Sequence, residues 1–337
     1  MNIDLTTRYL GLALRNPIVV SSCPLTGEID VLRHLELAGA GVVVLPSIFE
    51  EQIEHKEIDP QQLQCMSPTY GESLPYYREL KTYNKGPDEY LQHISQSKKQ
   101  ASTPIIASLN GTNVGKWVEF ASKIQDAGAD ALELNIYLIV TDLDTPAQVV
   151  ESHYLNLVSQ VRQQVTIPLA VKLVPYFTAF ANMARRFVEA GADGLTLFNR
   201  LMQPDIDLDT QRLKPRLALS TAEELHAPLK WIGLLRGRLN CSLAATSGIH
   251  FPDQAIKVLL AGADVVMIAS VLYQHGINHL TTFVEALSCW LEDNEFRSVD
   301  QIRGLLSKQF CPDTQAFARA NYTKAISSFG HDDPWTI

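Results

Sequence analysis

Lys172 is the side chain that most needs a chemical explanation. It stands in AVKLVPY (170–176), an ammonium inside an otherwise apolar run. A buried lysine must find an anionic or polar partner. Three roles fit: half of a structural ion pair, a cation facing an electron-rich ligand, or a Schiff-base nucleophile. A second signal lies in TSGIH (246–250) and IAS (268–270), where small residues follow apolar runs. Gly248 lets main chain approach a ligand closely. Amide groups of these two loops, with a helix N-terminus starting near FPDQA (251–255), suit a phosphate. A third signal is Asn110, Asn135 and Asn199, each closing an apolar run.

The elements that must position these residues follow from a recurring phrase. It reads LAGAGVVVL (37–45), DAGADALEL (126–134), EAGADGLTL (189–197) and LAGADVVMI (260–268). Each time a helical stretch ends, a glycine (Gly39, Gly128, Gly191, Gly262) takes the left-handed cap position, and the chain enters a buried strand. Between these runs stand IVVSS (18–22), PIIASL (104–109), LAVKL (169–173) and SLAATS (242–247). All are apolar without alternation, as parallel strands covered on both faces are. Eight strands separated by helices predict an α/β chain folded as a (β/α)8 TIM barrel. An N-terminal hairpin is expected to close the barrel floor. Residues 50–95 and 200–225 are read as insertions over the C-terminal face of the barrel. One domain spans 1–315, and no pattern is assignable in the tail, 316–337.

In such barrels chemistry sits at the C-terminal strand ends. The polar groups there are Ser21, Ser22 and Cys23, then Ser47, Ser108 and Asn110, Asn135 and Tyr137, Lys172, Asn199 and Arg200, Ser247 and Gly248, and Ala269 and Ser270. One asparagine can simply cap a turn. Three of them around Lys172 read as donors and acceptors for a flat heterocycle, and an isoalloxazine has that edge pattern. Arg200 could take a substrate carboxylate or a surface carboxylate partner.

The totals narrow the function classes. A net charge of -9 disfavours nucleic acid and anionic membranes as partners, leaving a small-molecule substrate. The five cysteines are scattered without a CxxC pair, so neither a metal site nor a disulfide framework is indicated. The N-terminus has no signal-peptide pattern, and no apolar run reaches membrane-spanning length. A cytoplasmic setting is expected.

The sequence resembles the dihydroorotate dehydrogenase family, flavoproteins whose (β/α)8 barrel carries FMN. The resemblance rests on NPIVVSS (16–22), YNKGPDEYL (83–91), LELN (132–135), VKLVPY (171–176), LFN (197–199), SGI (247–249), GADVVMIAS (262–270) and SVDQIRG (298–304). It implies an oxidoreductase acting on a CH–CH donor, with hydride passing from a dihydroorotate-like substrate to FMN. If dihydroorotate is the substrate, the setting is pyrimidine biosynthesis. By the same resemblance Lys172 faces the flavin edge where reduction builds negative charge. Ser21, Ser22, Ser47, Asn110 and Asn135 meet the ring or substrate. Ser247, Gly248, Ala269 and Ser270 hold the phosphate, and Asn84, Asn199 and Arg200 meet the substrate. A homodimer is also implied.

The resemblance breaks at the substrate. Family members read LN-x-S-C-P-N after the fourth strand, or carry serine for that cysteine, which is the catalytic base. This chain reads LNIYLIV, so the base position is Leu138 and the following asparagine is Val140. Pro46 replaces a lysine before Ser47, and SLPYYREL precedes Asn84 where the substrate loop has an asparagine. Tyr137 is the first candidate for a substitute base; Thr141, Tyr176 and Cys23 are others, with Cys23 expected to be inert. A divergent paralogue follows as the expectation. Two other readings stand beside it: a Schiff-base aldolase-type barrel using Lys172 on a phosphorylated substrate, and a flavin-binding protein without turnover.

Overall fold

The computed structural model describes residues 3–54, 86–200, 203–216, 218–309, 311 and 313–328. Two short strands, β1 (Thr7–Tyr9) and β2 (Leu12–Leu14), pair as an antiparallel hairpin. The parallel strands follow: β3 (Ile18–Val20), β4 (Val42–Phe49), β5 (Ile105–Asn110), β6 (Ala131–Asn135), β7 (Leu169–Leu173), β8 (Gly194–Leu197), β11 (Ser242–Thr246) and β12 (Val265–Ile268). They close in the order β11-β12-β3-β4-β5-β6-β7-β8. Helices alternate with them, and the glycines of the recurring phrase, Gly39, Gly128, Gly191 and Gly262, all have positive φ. Among the described residues no helix is long and apolar enough to cross a membrane.

The barrel interior is layered. Val19, Val42, Val44, Ile106, Ala131, Ala170, Ala244, Val265 and Met267 pack on Tyr9, Leu10 and Leu14 of the hairpin. Small side chains on β6, β7 and β11 make room for that plug. Gly194 does the same, since a Cβ there would meet Leu10 Cδ2 at 2.5 Å. Alternation along each strand sends the other set outward, so Leu132, Leu134 and Ile136 join the core beneath the helices. Glu133 and Asn135 therefore point inward with Ala131.

A bulge breaks that alternation on β4. Val44 pairs with Ile106, but Ser47 pairs with Ser108, one extra residue on β4. Leu45 joins the outer core, and Ser47 turns back inward. Pro46, which lacks an N–H, is suited to this interruption of the ladder.

Two expectations need correction. The first insertion is shorter than 50–95. Pro87–Gln100 is a barrel helix, with proline in its first turn, Asp88 and Glu89 near its start and Lys98 and Lys99 near its end. Residues 50–54 form a further helical turn, and 55–85 lie outside the described residues. The region after 313 is helical over Thr314–Ser328, crossing the expected tail boundary; no apolar stripe marks it in the sequence. Just ahead of the helix over Pro252–Ala261, two loop amides are taken up by its own Gln254 side chain. Gln254 Oε1 accepts from His250 N at 2.6 Å and Phe251 N at 3.0 Å. The second insertion does leave the barrel, as an antiparallel hairpin, β9 (Gln203–Asp207) with β10 (Arg212–Arg216).

Candidate active site

A cavity of about 410 Å³ opens at the C-terminal strand ends, within the range of small-molecule sites. Ser21, Ser22 and Cys23 line it from β3, Lys172 from β7, and Asn199 and Arg200 from the β8 loop. Ser247 and Ile249 line it after β11, Ala269 and Ser270 after β12, and Ala218, Leu219 and Ser220 from the second insertion. No carboxylate or imidazole is among these described lining residues.

Lys172 is half of a buried ion pair and also reaches the cavity. Its Nζ lies 3.5 Å from Glu133 Oε1 and 3.3 Å from Ser21 Oγ, and the residue is also on the cavity wall. Glu133 is 1% exposed, and its Oε2 accepts the Thr196 hydroxyl at 3.1 Å. Thr196 Oγ1 in turn lies 3.4 Å from Tyr9 Oη. Burial, and then the charge of Glu133, push the Tyr9 phenol well above its usual range. A buried polar column thus runs from the hairpin plug to the cavity floor. Glu133 was not among the predicted site residues. Its signal was present in LELN, because i and i+2 on a strand share a face and Asn135 faces inward.

Asn135 joins the serines at the strand ends. Its Nδ2 donates to Ser47 Oγ at 3.0 Å and to Ser108 Oγ at 2.9 Å. Ser47 and Ser108 hydroxyls are 2.7 Å apart, and Ser22 Oγ is 3.4 Å from Ser47. Tyr90 holds Ser108 from behind, accepting its N–H at 2.9 Å and donating to its carbonyl at 3.1 Å. Asn135 Oδ1 is buried and has no partner within the described protein. Such an acceptor costs roughly 1–3 kcal/mol unless something donates to it. A ligand N–H or O–H is suited to that task.

The loop after β11 carries backbone strain. Ser247 and Gly248 both have φ of 74°. For serine this is an uncommon conformation, of the kind retained where main chain must be aimed. A Cβ on Gly248 would sit 2.1 Å from Leu225 N, so this position also needs glycine for space.

The remaining predicted residues differ in where they lie. Arg200 is on the cavity wall, but its guanidinium is committed. It pairs with Glu224, and donates to the carbonyls of Ala218 and, at 3.1 Å, Leu219. It fastens the second insertion to the rim. Asn110 closes β5 in register with Asn135. Leu138 lines a separate pocket with Ile139, Val150, Tyr154, Tyr176 and Phe177. Tyr176 is 76% exposed there. Tyr137 is half-buried beyond the end of β6 and is not among the described residues lining either cavity. Thr141 is exposed, and Asn84 lies outside the described residues. Cys23 does line the cavity, and burial pushes its thiol up, which keeps it protonated at neutral pH.

The features found fit a flavin mononucleotide in kind. There is an unpartnered buried acceptor, a cation on the wall, and a strained glycine loop facing a serine-bearing loop. The chain matches the sequence profile of the family described as "Dihydroorotate dehydrogenase" over residues 4–291. It is 25% identical to a dihydroorotate dehydrogenase B (NAD(+)) catalytic subunit of Alkaliphilus metalliredigens, over 90% of this chain and 99% of that protein. It is 27% identical to the protein of the same name from Geotalea uraniireducens, over 90% and 98%. The Listeria welshimeri counterpart is 28% identical over 77% of this chain and 84% of its own length.

Proposed function

The chain belongs to the dihydroorotate dehydrogenase family, oxidoreductases acting on CH–CH donors, and from that premise we propose that it binds FMN in the Lys172 cavity and oxidises a small planar substrate related to dihydroorotate but distinct from it. The observation carrying the cofactor half is Asn135, whose Oδ1 is buried without a partner on the same strand ends as Lys172. FMN, when bound, supplies the hydride acceptor. Lys172 would set a positive charge against the ring edge, steadied by Glu133. Asn135 Oδ1 would accept a hydrogen bond from ring or substrate. Ser247, Ala269 and Ser270 on the cavity wall would hold the phosphate, with Gly248 shaping the loop, and Asn199 would face the substrate.

The substrate half rests on the missing base. Oxidation of a CH–CH donor needs a group to take a proton. The family's position is Leu138, which is apolar and lines a different pocket. Cys23 keeps its own proton. Dihydroorotate would therefore meet an intact cofactor site with no acceptor in the customary place. The Schiff-base reading loses ground because Lys172 already sits between Glu133 and Ser21.

An absorbance spectrum of the purified protein, followed by anaerobic dihydroorotate, tests both halves. A yellow protein that bleaches slowly or not at all supports the proposal. Rapid bleaching would retain FMN and overturn the substrate half. A colourless protein that takes up no added FMN would overturn the cofactor half, and borohydride trapping at Lys172 would then become the informative assay.

A further inference from the structure

Behind the cavity wall lies a chain of side chains that the proposed chemistry does not use. Ser220 comes from the second insertion and lines the cavity. Its N–H donates to Ser270 Oγ at 3.0 Å, which ties it to the loop expected to hold phosphate. Its own Oγ lies 2.9 Å from His250 Nε2. His250 Nδ1 lies 3.1 Å from Gln274 Oε1. Ser220 and His250 are each 7% exposed, so this hydrogen bond competes little with water.

The proton count decides what Ser220 can offer. A neutral imidazole carries one N–H. Gln274 Oε1 is an acceptor, so that proton belongs on Nδ1. Nε2 is then a lone pair and takes the single hydroxyl proton of Ser220. The serine oxygen left facing the cavity has lone pairs only, which repel a phosphate. If His250 takes a second proton, Nε2–H donates to Ser220 Oγ instead. The hydroxyl proton is freed to point at the ligand, and the imidazolium adds a positive charge behind it.

We propose that Ser220 contacts the ligand's phosphate and that His250, held by Gln274, is the positioning residue that turns its hydroxyl, so that a phosphomonoester dianion enters together with one proton. This rests on the FMN reading above. No bond is made or broken; a proton moves from solvent to His250 Nε2.

The charged groups around the imidazole leave the linkage to His250. On the segment preceding it, Glu224 is paired with Arg200. Glu223 and His226 contact each other at the surface. Asp253 and Lys257 on the following helix are exposed, as are Tyr273 and His275 beside Gln274. Lys172 lines the same cavity and is paired with Glu133.

The test compares FMN with riboflavin, which lacks the phosphate, by calorimetry between pH 7 and 8.5, where the ligand's own phosphate is already dianionic. The expected result is an FMN Kd that rises with pH, by up to about tenfold per unit for one linked proton. Binding enthalpies should also vary with buffer ionisation enthalpy, revealing proton uptake, while riboflavin shows neither effect. His250→Gln offers a permanent N–H toward Ser220 and should bind FMN without the pH dependence. Ser220→Ala, which deletes one hydroxyl, should lose both the proton uptake and part of the affinity, so the test survives if His250→Gln does not fold. A flat FMN profile in the wild type overturns the relay, as does an equal pH dependence for riboflavin. Failure of FMN to bind at any pH overturns the cofactor reading itself.

Discussion

Replacing Lys172 with methionine should destabilise the protein strongly, and adding Glu133→Gln should restore most of the loss. The pair is separated by 3.5 Å, and Glu133 is 1% exposed. At an effective dielectric of about 20, two unit charges at that distance attract by about 5 kcal/mol. Measured costs of orphaning one member of a buried pair are roughly 3–5 kcal/mol. Lys172→Met leaves Glu133 with the Thr196 hydroxyl at 3.1 Å as its remaining partner among the described residues, so a loss of about 3–5 kcal/mol is expected. Glu133→Gln alone should cost less, about 1–2 kcal/mol, because Lys172 keeps Ser21 at 3.3 Å and reaches the cavity. The double variant should come within about 1 kcal/mol of the wild type, since neither charge is then stranded. Urea denaturation of the four proteins gives the coupling directly. If Lys172→Met lies within about 0.5 kcal/mol of the wild type, or the two losses simply add, Glu133 is solvated or unpaired and the buried column is not what holds the ammonium.

Gly248→Ala should abolish FMN retention and lower stability by at least about 2 kcal/mol, because φ is 74° and the new Cβ would lie 2.1 Å from Leu225 N; a melting curve equal to wild type would refute it. Thiol mapping by mass spectrometry at pH 8 should label exposed Cys289 well before Cys23, whose thiol is pushed up by burial. Stability should also fall at alkaline pH through Cys241. Burial, and then Asp264, push its thiol up to about 12 from 9.0. Between those values the unfolded chain has lost the proton and the folded chain keeps it, so stability drops as pH rises, by at most about 1.4 kcal/mol per unit. Cys241→Ala should flatten that part of the profile, and an unchanged slope would show that another group is responsible. Leu138→Cys should not create rapid anaerobic bleaching by dihydroorotate, because position 138 opens on the pocket with Tyr154 and Phe177; fast bleaching in that variant would mean the loop turns toward the cavity.

The amino-acid sequence determined the eight barrel strands, the glycine caps between helix and strand, the closing hairpin, and the inward placement of Lys172 and Asn135. All of these depend on local signals: unbroken apolar runs, a positive-φ residue after a helix, and a period of two along a strand. Tertiary structure decided the rest, because it depends on residues far apart in the chain. Simple alternation from Val44 puts Pro46 inward and Ser47 outward; the bulge against β5 reverses this and brings Ser47 to Asn135. Lys172 was recognisable as needing a partner, but that the partner is Glu133 depended on how β6 and β7 align side by side. Arg200 had two open roles, and Glu224, 24 residues later, took one of them. Ser220 and His250 are 30 residues apart with no shared motif, and they meet because an insertion folds back over the strand end that carries the histidine loop. Local periodicity fixes which face a side chain takes. Barrel closure and the path of the insertions fix which other side chain it finds there.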